Sequence, residues 1–154
     1  MELWNYPHAQ KCRFYEIEAM EIPIVYNKYG DHDPNGLLFV LKKDAERIRK
    51  AAWKNFRMTP PQPAKEVVPL VIRANVGDKI KIRFTHSLNR ALSIHVQGLR
   101  YDVQTSDGAG VGFNRDSTTE NQICYTWYAD KEGVYSFQDM GKLFCDKVCR
   151  VTSD

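Results

Sequence analysis

A chain of 154 residues with 43% hydrophobic and 12% aromatic content is long enough for one packed domain, 1–154, and short for two. That composition excludes a disordered chain, and a formal charge of +3 is too small to point to nucleic acid. No stretch reaches the length of a membrane span, and the opening "MELWNYPHAQKC" lacks the charged-then-apolar layout of a signal peptide, so any leader is expected to have been removed or replaced by Met1.

The first predicted strand is "RFYEIEAMEIPIVY", in which Tyr15, Ile17 and Ala19 alternate with Glu16 and Glu18. Pro23 predicts an edge position or a bulge near its end. "NKYGDHDPNG" follows as dense turn chemistry ending in Asn35-Gly36. Asp31, Asp33 and Asn35 with Gly36 also read as the first half of a calcium loop. Lys42 stands where the closing bidentate glutamate belongs, so the spacing leaves a plain turn or a weaker calcium loop closed by carbonyls.

One helix is predicted over about 44–57. Ala45, Ile48, Ala52 and Phe56 fall near one face, Asp44 is placed to cap the N-terminus, and Pro60-Pro61 forbid continuation. Its other side is basic, through Lys42, Lys43, Arg47, Arg49, Lys50, Lys54 and Arg57. The plain reading is a solvated face, and the sharper one is docking to an acidic partner or surface.

After the loop "TPPQPAKE" the strands follow one another. In "VVPLVIRANVGDKIKIRFTHS" Ile80, Ile82 and Phe84 alternate with Lys79, Lys81 and Arg83, with a turn at Gly77-Asp78. "ALSIHVQGLRYD", "QICYTWYAD" and "GVYSFQD" complete the set, and Cys124 between aromatics reads as a buried thiol. The aromatics Tyr125, Trp127, Tyr128, Tyr135 and Phe137 read as core and cross-strand packing rather than a carbohydrate or electron-transfer surface. Short strands between turns predict an all-β antiparallel sandwich or barrel with one helical insertion. His8 with Cys12, and Cys145 with Cys149, are each four apart. Together they would make a Cys3His site for zinc or copper(I), while a small Cys145–Cys149 disulfide or free thiols is the preferred reading.

"PLVIRANVGDKIKIRFTHSL", "SIHVQGLRYD" and "CYTWYADKEGVYSFQDM" together resemble the cupredoxin domains of multicopper oxidases. The likeness is greatest to the N-terminal-type domain of the large ceruloplasmin-like and manganese-oxidising members, and "IVYNKYGDHDPNGLLFVL" is similar to their lead-in. The resemblance runs from about Phe14 to Met140 and implies a cupredoxin-like Greek-key β-sandwich. It also implies single-electron oxidation of a substrate through a type 1 copper and a trinuclear cluster that reduces dioxygen.

The family builds that cluster from His-x-His pairs, which place two neutral nitrogens on one face of a strand. Here His95 is followed by Gln97, and Gln138 and Met140 stand at the second pair. The type 1 site needs a cysteine ahead of its second histidine. His95 is the last histidine, and Cys124, Cys145 and Cys149 all follow it. The isolated chain is therefore expected to be inactive. His95 is either a structural group or a single copper ligand, helped by His86, Met140, a cysteine or a neighbouring chain.

The closing strand of the family is missing or shortened to "KVCRVT" in the tail from about 141 to 154. An unfilled edge predicts partners, either further copies or further cupredoxin domains. Location outside the cytoplasm or at the cell surface is implied by the resemblance. Two functions follow: a piece of a copper-dependent oxidoreductase, or a non-catalytic assembly sandwich.

Overall fold

The computed structural model describes residues 11–109 and 122–141. The first strand, β1 (Cys12–Val25), runs fourteen residues and serves two partners. Its first part pairs in parallel with β3 (Lys79–His86), and its later part pairs antiparallel with β2 (His32–Leu41). β6 (Ile123–Tyr128) adds antiparallel to β3, and the two-residue β5 (Arg100–Tyr101) adds to β6. The sheet order is β2-β1-β3-β6-β5, and β4 (His95–Val96) with β7 (Phe137–Gln138) forms a separate two-stranded ribbon. The ladders make this an all-β fold, with α1 (Ala45–Phe56) as its one long helix among the described residues.

The period-two pattern of β1 explains its layers. Ile17 and Ala19 face a main core with Ile80, Ile82, Phe84, Tyr125 and Trp127, closed on the other side by Leu92, Ile94, Val96 and Phe137 of the ribbon region. From Met20 onward the opposite face is buried as well. Met20, Ile22 and Val40 pack against Ala45, Ile48 and Ala52 of α1 (Ala45–Phe56). A strand covered on both faces cannot slip by one residue without placing Glu16 and Glu18 in the main core.

Several sequence expectations change. The turn ends at Asp31: Asn27 Oδ1 accepts from the Tyr29 and Asp31 amides, and Gly30 has φ +93°. Asp33, Asn35 and Gly36 are strand residues of β2, where the register shifts opposite Pro23. Gly36 lies close under Ile24: a Cβ would stand 2.4 Å from Ile24 Cδ1, so a larger residue there would make the Ile24 side chain turn aside.

A 3-10 turn at Lys42–Asp44 leads into α1, so Asp44 already has near-helical angles and caps nothing; it pairs with Arg47 at 3.2 Å. The ladder of the long third strand begins at Lys79. Leu70, Ile72 and Ala74 keep the alternation by packing on the core, but form no ladder among the described residues. "ALSIHVQGLRYD" is two strands in two sheets, divided at Gly98 with φ +86°. A second short helix, α2 (Val103–Ser106), follows, capped by the Asp102 carboxylate on the Gln104 and Thr105 amides. Cys124 is exposed, because it lies on the outer face of β6 between buried Ile123 and Tyr125.

The aromatic run packs as predicted. Tyr125 and Trp127 are buried, with ring centroids 6.5 Å apart, and Phe137 lies 6.1 Å from Trp127. Phe84 sits between Phe39 and Tyr125 at 5.8 and 6.5 Å. Removing that fully buried ring leaves a cavity that neighbours from three strands cannot all close. We expect Phe84→Ala to cost about 3–5 kcal/mol in urea denaturation, without loss of the folded baseline.

Asp78 accepts from Arg13 Nε and from the Asn75 amide, tying the start of β1 to the Gly77 turn. The Arg13 bond, then the Asn75 amide, holds the Asp78 carboxyl below its ordinary range. A lowered folded pKa stabilises above the unfolded value and is lost as pH falls through the folded one. Wild type should therefore exceed Asp78→Asn in melting temperature at neutral pH. The gap should close in strong acid; a gap independent of pH would contradict this assignment.

Candidate functional site

The two chain segments that carry the candidate ligands meet in the ribbon. His95 pairs across the strands with Gln138, and Val96 with Phe137. The register continues beyond the ladder: the Gln97 amide donates to Ser136 O at 2.9 Å, and the Met140 amide to Ser93 Oγ at 3.1 Å. Asp139 Oδ1 accepts from the Ser93 and Gly141 amides at 3.0 and 2.9 Å, stapling the two segments. Cross-strand partners and their i+2 neighbours share a face, so His95, Gln97 and Gln138 occupy one face of the ribbon. Gln138 Nε2 donates to Met140 Sδ at 3.3 Å, which brings the thioether to the same cluster.

The His95 ring is mostly buried, and its Nδ1 lies 2.8 Å from the main-chain oxygen of Asp107. A carbonyl only accepts, so Nδ1 carries the proton and, in the neutral ring, Nε2 keeps the lone pair. Below it the Asp107 carboxylate, 3.8 Å from Nδ1, accepts from the Tyr101 hydroxyl and the Ala109 amide, each at 2.8 Å. The Tyr101 ring stands edge-on to His95, with centroids 6.1 Å apart.

Burial first, and then the hydrogen bond and charge of Asp107, push the Tyr101 phenol up to about 12. Gly108 has φ +68°, and a Cβ there would stand 2.2 Å from Ile94 O, so only glycine lets this loop press on β4. Ser106 Oγ accepts from the Thr126 amide at 3.0 Å and ties the platform to β6. Tyr101, Asp107 and Gly108 were not singled out as site residues from the sequence. The Asp-Gly turn dipeptide twelve and thirteen residues past His95 is the visible signal that could have found two of them.

The remaining candidates among the described residues lie elsewhere. His86 is buried at the end of β3, and its Nδ1 accepts from the Leu88 amide at 3.2 Å, so that lone pair is used within the turn. Cys12 is exposed at the start of β1, and His8, Cys145 and Cys149 lie outside the described residues. The calcium reading does not fit the backbone. Asp33 and Asn35 belong to a strand, Asp31 Oδ2 accepts from Asn27 Nδ2 at 2.6 Å, and Asp33 Oδ1 from the Asn35 amide at 2.9 Å. Among the described residues no three His, Cys, Asp or Glu side chains are grouped to hold a metal.

The buried platform predicts two outcomes. One tyrosine should titrate near 12 in ultraviolet difference spectra and vanish from them in Tyr101→Phe. Asp107→Ala strands the Tyr101 hydroxyl and the Ala109 amide, and should cost about 1–3 kcal/mol in denaturant melts.

Comparison with known proteins gives a consistent picture. A family model described as multicopper oxidase matches residues 65–142. Coagulation factor V of Mus musculus is 29% identical over 143 residues, 80% of this chain and 6% of that protein. Coagulation factor V of Bos taurus is 30% identical over 131 residues, 76% of this chain and again 6% of that protein. Among solved structures, a multi-copper oxidase from Pseudomonas thermotolerans matches with a TM-score of 0.56 at 13% identity, covering 87% of this chain and 26% of that one. At that identity the likeness speaks for the fold. The chain spans a small fraction of the length of each of these relatives.

Proposed function

The chain belongs to the multicopper oxidase family, and from that premise we propose that it is one cupredoxin-like domain whose contribution to copper is a single imidazole, His95. The family implies copper in general, and the donor set decides how much of it these residues fit. A type 1 site takes two imidazoles and a thiolate, and a trinuclear half-site takes paired imidazoles. The ribbon face instead carries one imidazole, two amides and a thioether. That set does not fit either centre. It fits one nitrogen donor with a soft sulfur nearby, to be completed by residues from other domains or chains.

The supporting observation is the His95–Asp107 hydrogen bond. It fixes the tautomer with Nε2 unprotonated, the state a metal ligand requires, and the Tyr101–Asp107 contact holds the acceptor in place. Gln97 and Gln138 supply no imidazole, so this domain's residues position and orient rather than build a centre. The alternative is a non-catalytic assembly sandwich, in which these amides serve only the ribbon: Gln138 with Met140, and Gln97 with Ser136. Placement outside the cytoplasm or at the cell surface belongs to the same proposal. Among the described residues no helix is long and apolar enough to cross a membrane.

The deciding measurement is copper content after loading and desalting, with visible and EPR spectra of the same sample. The proposal expects one copper per chain, no intense blue band, and loss of that copper in His95→Ala. Several coppers or a blue chromophore would overturn it. No retained copper would favour the assembly reading.

A further inference from the structure

The chain's positive charge is not spread over its surface. Residues 42–57 hold seven of the 22 Lys and Arg but only two of the 19 Asp and Glu, leaving 15 basic against 17 acidic residues elsewhere. The whole positive excess therefore sits on α1 and the turn before it. Glu46, Arg49, Lys50, Trp53, Lys54 and Arg57 line one open cleft of about 480 Å³ along the helix. Their spacing of three and four makes a single stripe. It is set off from the face that carries Ala45, Ile48 and Ala52 into the core.

Internal pairing accounts for part of this charge. Arg49 reaches Glu18 and Glu46 at 3.2 and 3.1 Å, and Lys50 reaches Glu46 at 3.4 Å. Lys54 and Arg57, at the open end of the cleft, have no carboxylate partner among the described residues, and neither do Lys42 and Lys43. Between them Trp53 keeps 41% of its surface exposed, its ring braced edge-on by Phe56 at 5.8 Å. A large aromatic held at the centre of a cationic stripe is costly to leave in water. It is also the residue type that dominates binding energy when covered.

We propose that this cleft docks an acidic polypeptide segment of a partner protein, with carboxylates against Lys54 and Arg57 and an apolar side chain on Trp53. The patch's excess charge selects an anionic partner, and the concave stripe suits a chain better than a plane. One tryptophan on a twelve-residue helix, whose apolar face is already spent on β1, offers little area to insert into a bilayer. The inference is independent of any copper, and the two fail separately.

The test is an NMR titration of the ¹⁵N-labelled chain with a peptide of repeated Glu-Glu-Leu triplets, and separately with phosphatidylserine vesicles. The expected result is shifts confined to residues 46–57 and the Trp53 indole. Affinity should weaken about tenfold on going to high salt, and about tenfold again in a Lys54→Glu/Arg57→Glu double variant with an unchanged thermal melt. Trp53→Ala should weaken binding at both salt concentrations. No binding at low salt, shifts centred elsewhere, or indifference to the charge reversal would overturn the proposal. Binding to the vesicles and not to the peptide would also overturn it.

Discussion

The structure depends on β1 being buried on both faces in succession. Over Tyr15–Ala19 its odd-numbered residues close the core against the ribbon, and over Met20–Ile24 its even-numbered ones close a second core against α1. Ala19 and Met20, adjacent and both buried, mark the exchange. The small Ala19 and the adaptable Met20 suit a junction where neither layer is fully developed. Once this strand is fixed, β3 and β2 take their places from its two halves. The helix has only one face on which to lie, and the ribbon is left with the other. The bulge at Pro23 follows too: proline cannot donate to a ladder, and it falls where β1 has lost its β3 neighbour.

The ribbon separates architecture from chemistry. Its register is held by main-chain pairing, by Asp139 on two amides and by Ser93 on a third. None of these bonds uses the side chain of a residue at a ligand position. Each is worth about 0.5–1.5 kcal/mol, and their number suffices to hold two short segments over a packed core. Glutamines can therefore stand opposite and beside His95 without disturbing the strands. Both are polar and exposed, and both find partners within the ribbon. The fold of an oxidase domain persists here on packing and hydrogen bonds, whatever its donor atoms.

Much of this was legible in the sequence, because burial writes itself as period. Ile80, Ile82 and Phe84 of β3 alternate inward as read, and Ala45, Ile48 and Ala52 of α1 face the core. What escaped depends on long-range neighbours. The alternation of Leu70, Ile72 and Ala74 is as clean as that of β3, but a ladder needs a strand alongside, which periodicity does not report. Asp33-Pro34-Asn35-Gly36 has turn chemistry and is drawn into β2 because β1 offers it a ladder, in which Gly36 stands opposite Ile22 and Asp33 opposite Ile24. The site divides in the same way. His95 is a visible residue type, while its support by Asp107, twelve residues on, rests on a main-chain oxygen that no side-chain pattern encodes.

The central sheet also decides how the two functional surfaces relate. The ribbon with His95 covers the face of β1 that carries Ile17 and Ala19, and α1 covers the face that carries Met20 and Ile22. Strand geometry sends those side chains to opposite sides, so the basic cleft and the His95 face are separated by the thickness of the sheet and its side chains. A partner seated on Trp53 and Lys54 leaves the ribbon open to a second contact. On the two proposals together, the domain would stand between two neighbours, with charge presented to one and a single oriented imidazole to the other.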